Sequence, residues 1–161
     1  MKKSFELEVS PANIVKQHFL FPSTMFVSRS SYHIKTVLGS CVALCLFDME
    51  KQFGGMNHYM LPVWNDEGLA TPKYGNIANQ SLLKKLISMG ASKDNLVAKI
   101  FGGANQLMKS DTYEVGSRNI HIAKEFLHHE GIKLMKSDTG GSRGRKIIMD
   151  SSNNKILLKY L

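Results

Sequence analysis

Leu38-Gly39-Ser40-Cys41-Val42-Ala43-Leu44-Cys45-Leu46-Phe47 is the stretch on which the fold turns. From residue 41 to residue 47 every side chain is apolar. A strand with one wet face alternates polar and apolar residues, so an unbroken run of this length suits a strand buried on both faces. Material must therefore cover each side of the sheet that holds it. Gly39 and Ser40 interrupt the pattern just ahead, so that Cys41 falls where a turn enters the buried strand.

Working outward, residues 25–28 and 33–38 read as strands, with Arg29-Ser30-Ser31 turning between them. Residues 53–60 form the next strand, reached through a turn at 48–52. Residues 62–72, with Trp64, Asp66, Glu67 and Gly68, read as a surface loop. A helix is predicted over 76–89, with Ile77, Leu82, Leu83, Leu86 and Ile87 as its apolar stripe and Gly90 as its stop. Residues 96–101 are a strand ending at Gly102-Gly103. Ser117 is placed to cap a second helix, whose core face is Ile120, Ala123, Phe126 and Leu127 and whose terminator is Gly131. Residues 132–137 form a strand, and residues 146–150 and 155–160 a closing hairpin. The expected fold class is α/β: a single-domain layered sandwich of mostly antiparallel β-sheet with two main helices packed on it. Residues 1–24 read as an N-terminal arm with one short strand, and residues 25–161 as the domain.

The bulk properties agree with one domain. The chain has 161 residues, 43% hydrophobic and 21% charged, which is enough for one core and too few for two. Lys2 and Lys3 could open a signal peptide, but Glu6 and Glu8 interrupt any apolar stretch behind them. The run at 41–47 is the longest apolar one and falls far short of the ~20 residues of a membrane helix. A cytoplasmic protein without membrane insertion is expected. Cys41 and Cys45 are the only cysteines. On one extended strand their Cα atoms lie about 13 Å apart, beyond disulfide reach, so both should be free thiols. A net charge of +8 favours acidic partners without choosing among them.

Cys41 is the first candidate for chemistry. A turn of small residues leaves backbone N–H groups free to meet a carbonyl oxygen, so Gly39 and Ser40 are candidate substrate-binding positions. A free thiol has a pKa near 8.5, and a neighbouring imidazole can take its proton to leave a thiolate–imidazolium pair. His58, in Gly54-Gly55-Met56-Asn57-His58-Tyr59-Met60-Leu61-Pro62, is the candidate base. If residues 41–47 and 53–60 pair as a hairpin, Cys41 and His58 fall opposite each other within a residue or two. Thr36, on the preceding strand, is a plausible group to orient the imidazole. Alone, a cysteine in a buried strand reads as packing and a histidine after glycines as a structural residue.

The ordered blocks of the sequence carry more. Thr36-Val37-Leu38-Gly39-Ser40-Cys41-Val42-Ala43 resembles the signature of the chemoreceptor glutamine deamidases, the CheD family, as does Met56-Asn57-His58-Tyr59-Met60-Leu61-Pro62. The likeness continues through Lys73-Tyr74-Gly75-Asn76, residues 98–105, Gly116-Ser117-Arg118-Asn119 and residues 138–146. It implies a Cys–His–Thr catalytic set at Cys41, His58 and Thr36, with no metal or organic cofactor. Some family members carry the threonine one residue further from the cysteine, where this chain has Lys35; a one-residue shift turns a strand side chain to the other face. The resemblance further implies glutamines on the cytoplasmic helical bundle of chemoreceptors as substrates, and thioester chemistry. It also raises a non-catalytic alternative, an adaptor that binds the chemotaxis phosphatase CheC, which should survive Cys41→Ala.

Rival motifs are weaker. Gly102-Gly103-Ala104 lacks the spacing of a nucleotide loop. Cys41, Cys45 and His58 lack the close ligand pairs of a zinc site. Gly140-Gly141-Ser142-Arg143-Gly144-Arg145 reads as a turn, with anion or receptor contact as the alternative. His128-His129 read as helix-end capping. A nucleic-acid partner would rest on charge alone, with no aromatic stacking motif, and is not expected.

Overall fold

The computed structural model describes residues 14–105 and 114–161. Among the described residues, nine strands and two α-helices follow one another: β1 (Lys16–Phe19), β2 (Thr24–Ser28), β3 (Tyr32–Leu38), β4 (Val42–Asp48), β5 (Phe53–His58), α1 (Gly75–Ser88), β6 (Leu96–Gly102), α2 (Val115–Glu130), β7 (Lys133–Thr139), β8 (Arg145–Asp150) and β9 (Ile156–Tyr160). They make a five-stranded sheet in the order β2-β5-β4-β6-β7 and a four-stranded sheet in the order β1-β3-β8-β9. Only the β1–β3 and β6–β7 pairs are parallel. This is the expected α/β sandwich, mostly antiparallel, with both helices on the five-stranded sheet. No helix among the described residues is long and apolar enough to cross a membrane.

β4 lies at the centre of the five-stranded sheet, and every residue in it is buried. Its alternate residues serve two cores. Val42, Leu44 and Leu46 pack with Leu82, Leu86, Ala123 and Leu127 under the helices. Ala43, Cys45 and Phe47 pack with Ile34, Leu38, Ile147 and Met149 of the other sheet. The unbroken apolar run thus reflects a strand with a hydrophobic layer on each side. Consecutive strands part company at residues 29–31: β2 joins one sheet and β3 the other, so the chain rounds the edge of the sandwich there.

One detail differs from the reading of the sequence. Ser117 does not cap α2; the helix starts at Val115, and the Ser117 hydroxyl, inside the first turn, accepts from Asn105 Nδ2 at 2.9 Å. Gly116 allows the earlier start. A Cβ there would lie 2.5 Å from the Gly103 carbonyl oxygen, so only glycine brings the helix this close to the loop after β6. Thr36 does not neighbour β4 within a sheet; β3 belongs to the four-stranded layer and faces the other across the core. Within the arm, β1 pairs in parallel with β3 and Leu20 is wholly buried. The rest of the arm, residues 1–13, lies outside the described residues.

Candidate active site

The site forms at one end of the seam between the sheets. Val42 bridges Tyr59 and Cys45 pairs with Met56. In that register Cys41 stands opposite Met60, and His58 opposite Ala43. The two candidates are therefore offset by two residues on neighbouring strands and point to the same face, a diagonal relation within reach of their side chains. The β4–β5 ladder is interrupted beside His58. There the Leu44 N–H donates to the Asn57 side-chain oxygen at 2.9 Å, and Asn57 Nδ2 donates to Asn79 Oδ1 at 2.9 Å. Asn57 stands in the quoted histidine block, but its role as a substitute rung had no signal in spacing or composition.

Thr36 reaches the imidazole from the opposite sheet. It is fully buried and points inward, whereas Lys35 next to it lies on the other face of β3. The Thr36 hydroxyl donates to the Leu20 carbonyl at 2.8 Å. With its proton so used, the hydroxyl accepts from His58 Nδ1–H, also at 2.8 Å. That bond fixes the tautomer and leaves Nε2 with its lone pair. Nε2 is buried and has no hydrogen-bond partner. The structure thus joins Thr36 to His58 by a hydrogen bond, while the Cys41 thiol makes none to the imidazole.

Burial sets the protonation states. Removal from water pushes the His58 pKa down to about 4 and raises that of Cys41, the latter opposed by a hydrogen bond from the Cys41 backbone N–H. The pair therefore rests as neutral thiol and neutral imidazole, not as the thiolate–imidazolium pair that thiol chemistry alone suggests. Both cysteines are free. Cys41 is half-buried at the end of the seam, whereas Cys45 is sealed in the core with its pKa pushed up to about 12.

The turn before Cys41 is held by its carbonyls. The Gly39 oxygen accepts from Ala104 N–H at 2.9 Å and the Cys41 oxygen from Gly103 N–H at 2.8 Å. Gly102, at φ +104°, makes this approach possible; a side chain there would collide with the Cys41 carbonyl. The Ser40 oxygen accepts from Asn119 Nδ2 of α2 at 3.0 Å, and the same amide donates to the Met60 oxygen at 3.0 Å. Among the described residues, the N–H groups of Gly39 and Ser40 donate to no carbonyl or side chain, and that of Cys41 lies against its own sulfur. Gly102-Gly103-Ala104 is thus the clamp of the cysteine turn.

The Gly140 loop packs beside this clamp, with Gly140 N–H donating to the Gly102 oxygen and Asn105 N–H to the Gly141 oxygen. Its arginines are already engaged. Arg145 is buried and paired with Asp138 at 2.7 Å, and Arg143 Nε donates to the Leu161 oxygen. His128 and His129 lie in the last turn of α2.

Comparison with known proteins adds an independent finding. Residues 60–160 match the family described as CheD chemotactic sensory transduction. A probable chemoreceptor glutamine deamidase CheD of Trichlorobacter lovleyi is 50% identical over 145 residues, 89% of this chain and 90% of the relative. The protein of the same description from Sulfurimonas denitrificans is 45% identical over 148 residues, covering 91% and 95%. That of Methanococcus vannielii is 38% identical over 136 residues, covering 83% and 88%.

Proposed function

Since the chain belongs to the CheD family, we propose that it is a protein-glutamine deamidase that hydrolyses glutamine side chains of chemoreceptors to glutamate in the cytoplasm, with Cys41 as nucleophile, His58 as base and Thr36 as the group that orients the imidazole. The observation that carries the residue assignment is the Thr36–His58 hydrogen bond, which leaves His58 Nε2 as an unprotonated acceptor on the Cys41 side of the sheet.

The chemistry follows from the resting neutral pair. As the Cys41 sulfur attacks the carboxamide carbon, its proton passes to Nε2, so no buried ion pair has to exist beforehand. The S–C bond forms, the carbonyl π pair moves onto oxygen, and the Cys41 N–H, which lies beside the sulfur, donates to that charge. His58 returns the proton to the nitrogen as the C–N bond breaks, releasing ammonia and leaving a thioester. Water, giving a proton to Nε2, then attacks the thioester carbon, and the thiolate leaves with that proton. The net change is glutamine plus water to glutamate plus ammonia, with the enzyme restored. A thiol–imidazole hydrogen bond closes with substrate in place, as catalytic contacts often do.

The test incubates the protein with a chemoreceptor cytoplasmic fragment and maps the products by mass spectrometry. A gain of about one dalton at particular glutamines, without chain cleavage, is expected from exchange of amide for acid. Conversion that persists in Cys41→Ala would refute the assignment.

A further inference from the structure

The turn that carries Cys41 is pinned by three carbonyl hydrogen bonds, and only one of them comes from a side chain. Gly39 and Cys41 are held by the main-chain amides of Ala104 and Gly103, while Ser40 is held by Asn119 Nδ2 at 3.0 Å. A trans peptide is planar, with its C=O and N–H pointing in opposite directions, and no cis bond occurs among the described residues. Whatever holds the Ser40 carbonyl therefore aims the Cys41 N–H.

Asn119 sits on α2, on the helix side of the five-stranded sheet, where its neighbours Ala123 and Leu127 pack into the helix-side core. The Ser40 carbonyl points toward that layer. The Cys41 N–H consequently points away from it, toward the seam where the Cys41 side chain packs. The same Asn119 amide donates to the Met60 carbonyl, two residues beyond His58 and opposite Cys41. One fully buried side chain thus ties the approach to the nucleophile to the end of the strand that carries the base. Its own main chain is anchored in turn, because the Tyr59 hydroxyl donates to the Asn119 carbonyl at 2.5 Å.

We infer that Asn119 is a positioning residue for the deamidation: by holding the Ser40 carbonyl it aims the Cys41 amide N–H at the oxygen that becomes negative when the carboxamide is attacked. The inference rests on Cys41 being the nucleophile. Donors aimed at a developing oxyanion act on the transition state and hardly on bound substrate. Removing the aim should lower kcat and leave KM nearly unchanged.

Asn119→Ala and the near-isosteric Asn119→Asp, whose carboxylate cannot donate to either carbonyl, form the test. Two rates are measured for each: kcat for deamidation of a receptor fragment, and alkylation of Cys41 by iodoacetamide. Alkylation displaces iodide at a tetrahedral carbon and develops no oxyanion, so it reports on the thiol, its base and the N–H as a partner of the sulfur, but not on the N–H as a partner of the oxygen. The expected result is a loss on the order of a hundredfold in kcat, with KM and the alkylation rate each within about threefold of the parent. Three results would overturn the inference: turnover near the parent value, alkylation that falls in proportion to turnover, or loss of cooperative unfolding in both variants, which would make Asn119 a residue of the fold. Cys41→Ala run alongside separates the two levels. Turnover surviving there brings down the underlying reading, whereas turnover lost there but kept in Asn119→Ala brings down this inference alone.

Discussion

The two sheets of this protein are built to different standards of closure. The five-stranded sheet is covered on both faces, by helices on one side and by its partner sheet on the other, and β4 and β5 are buried at every position. Among the described residues, the four-stranded sheet is covered on one face only. Its outer row carries Phe19, Val37 and Leu157 at 48%, 43% and 69% exposure, beside Lys35, Lys146 and Lys159. Thr36 comes from the half-open sheet and Cys41 and His58 from the closed one. The closed sheet supplies the rigid, dry setting that shifts both pKa values. The open sheet supplies the hydroxyl that fixes the tautomer, and the seam between them lets solvent in at Cys41.

The two cysteines of β4 and the turn before it break this comparison most sharply. Cys41→Ala should reduce deamidation by about a thousandfold or more with little change in thermal unfolding, as loss of a nucleophile does. Cys45→Ala should do the reverse, destabilising the core while keeping turnover within a few-fold. Equal loss of turnover in both, measured by ammonia release, would show that the position on the strand does not matter.

Next come the leucines. Leu44→Ala removes a wholly buried side chain and should cost about 2–5 kcal/mol, whereas Leu157→Ala on the open face should stay within about 0.5 kcal/mol. Denaturant midpoints compare them directly, and a similar loss at both sites would mean that the outer face is covered in solution.

The pH response tests the dryness of the seam. His58 has a folded-state pKa near 4 against 6.5 for an ordinary imidazole. The unfolded chain then takes up the proton first, so acid favours unfolding. This group's contribution should be flat above about pH 7 and fall by up to ~3 kcal/mol as pH drops from about 6.5 to about 4. The acid limb of kcat/KM should likewise lie nearer 4 than 6.5. Urea titrations of the parent and His58→Gln across that range should diverge; parallel curves would deny that the imidazole is desolvated.

The smallest effect tests the contact between the sheets. Thr36→Val keeps the shape but leaves the Leu20 carbonyl and His58 Nδ1–H unpaired, at a cost of about 1–3 kcal/mol. Turnover should fall roughly tenfold to a hundredfold as the imidazole loses its fixed orientation, the kind of loss that follows removal of a partner that orients a histidine. Lys35→Ala, on the other face of the same strand, should leave kcat unchanged. Urea midpoints and kcat for the two variants check this, and loss of turnover in the lysine variant would reverse the assignment of faces.

Most of the elements were legible because their signals are local. The period of the apolar residues marked both helices and placed the ends of α1 to within a residue. Gly131 marked the end of α2, where it adopts φ +68°, and the alternation-free run at 41–47 announced a strand with a layer on each side. The start of α2 was misread because the residue that allows it, Gly116, works by close approach to Gly103, which is remote in the chain.

By itself, then, the sequence determined which segments are strands and helices, that β4 must be covered on both faces, and which cysteine, histidine and threonine are candidates for chemistry. Those properties follow from neighbours along the chain. Only the tertiary structure decided that Thr36 meets His58 across two sheets, that burial leaves the thiol and imidazole neutral, and that Asn119 and the Gly102–Gly103 turn hold the cysteine in place. Each of these depends on contacts between residues tens of positions apart. Desolvation, tautomer choice and the direction of an amide are all set by what lies nearby in space, which no local pattern records.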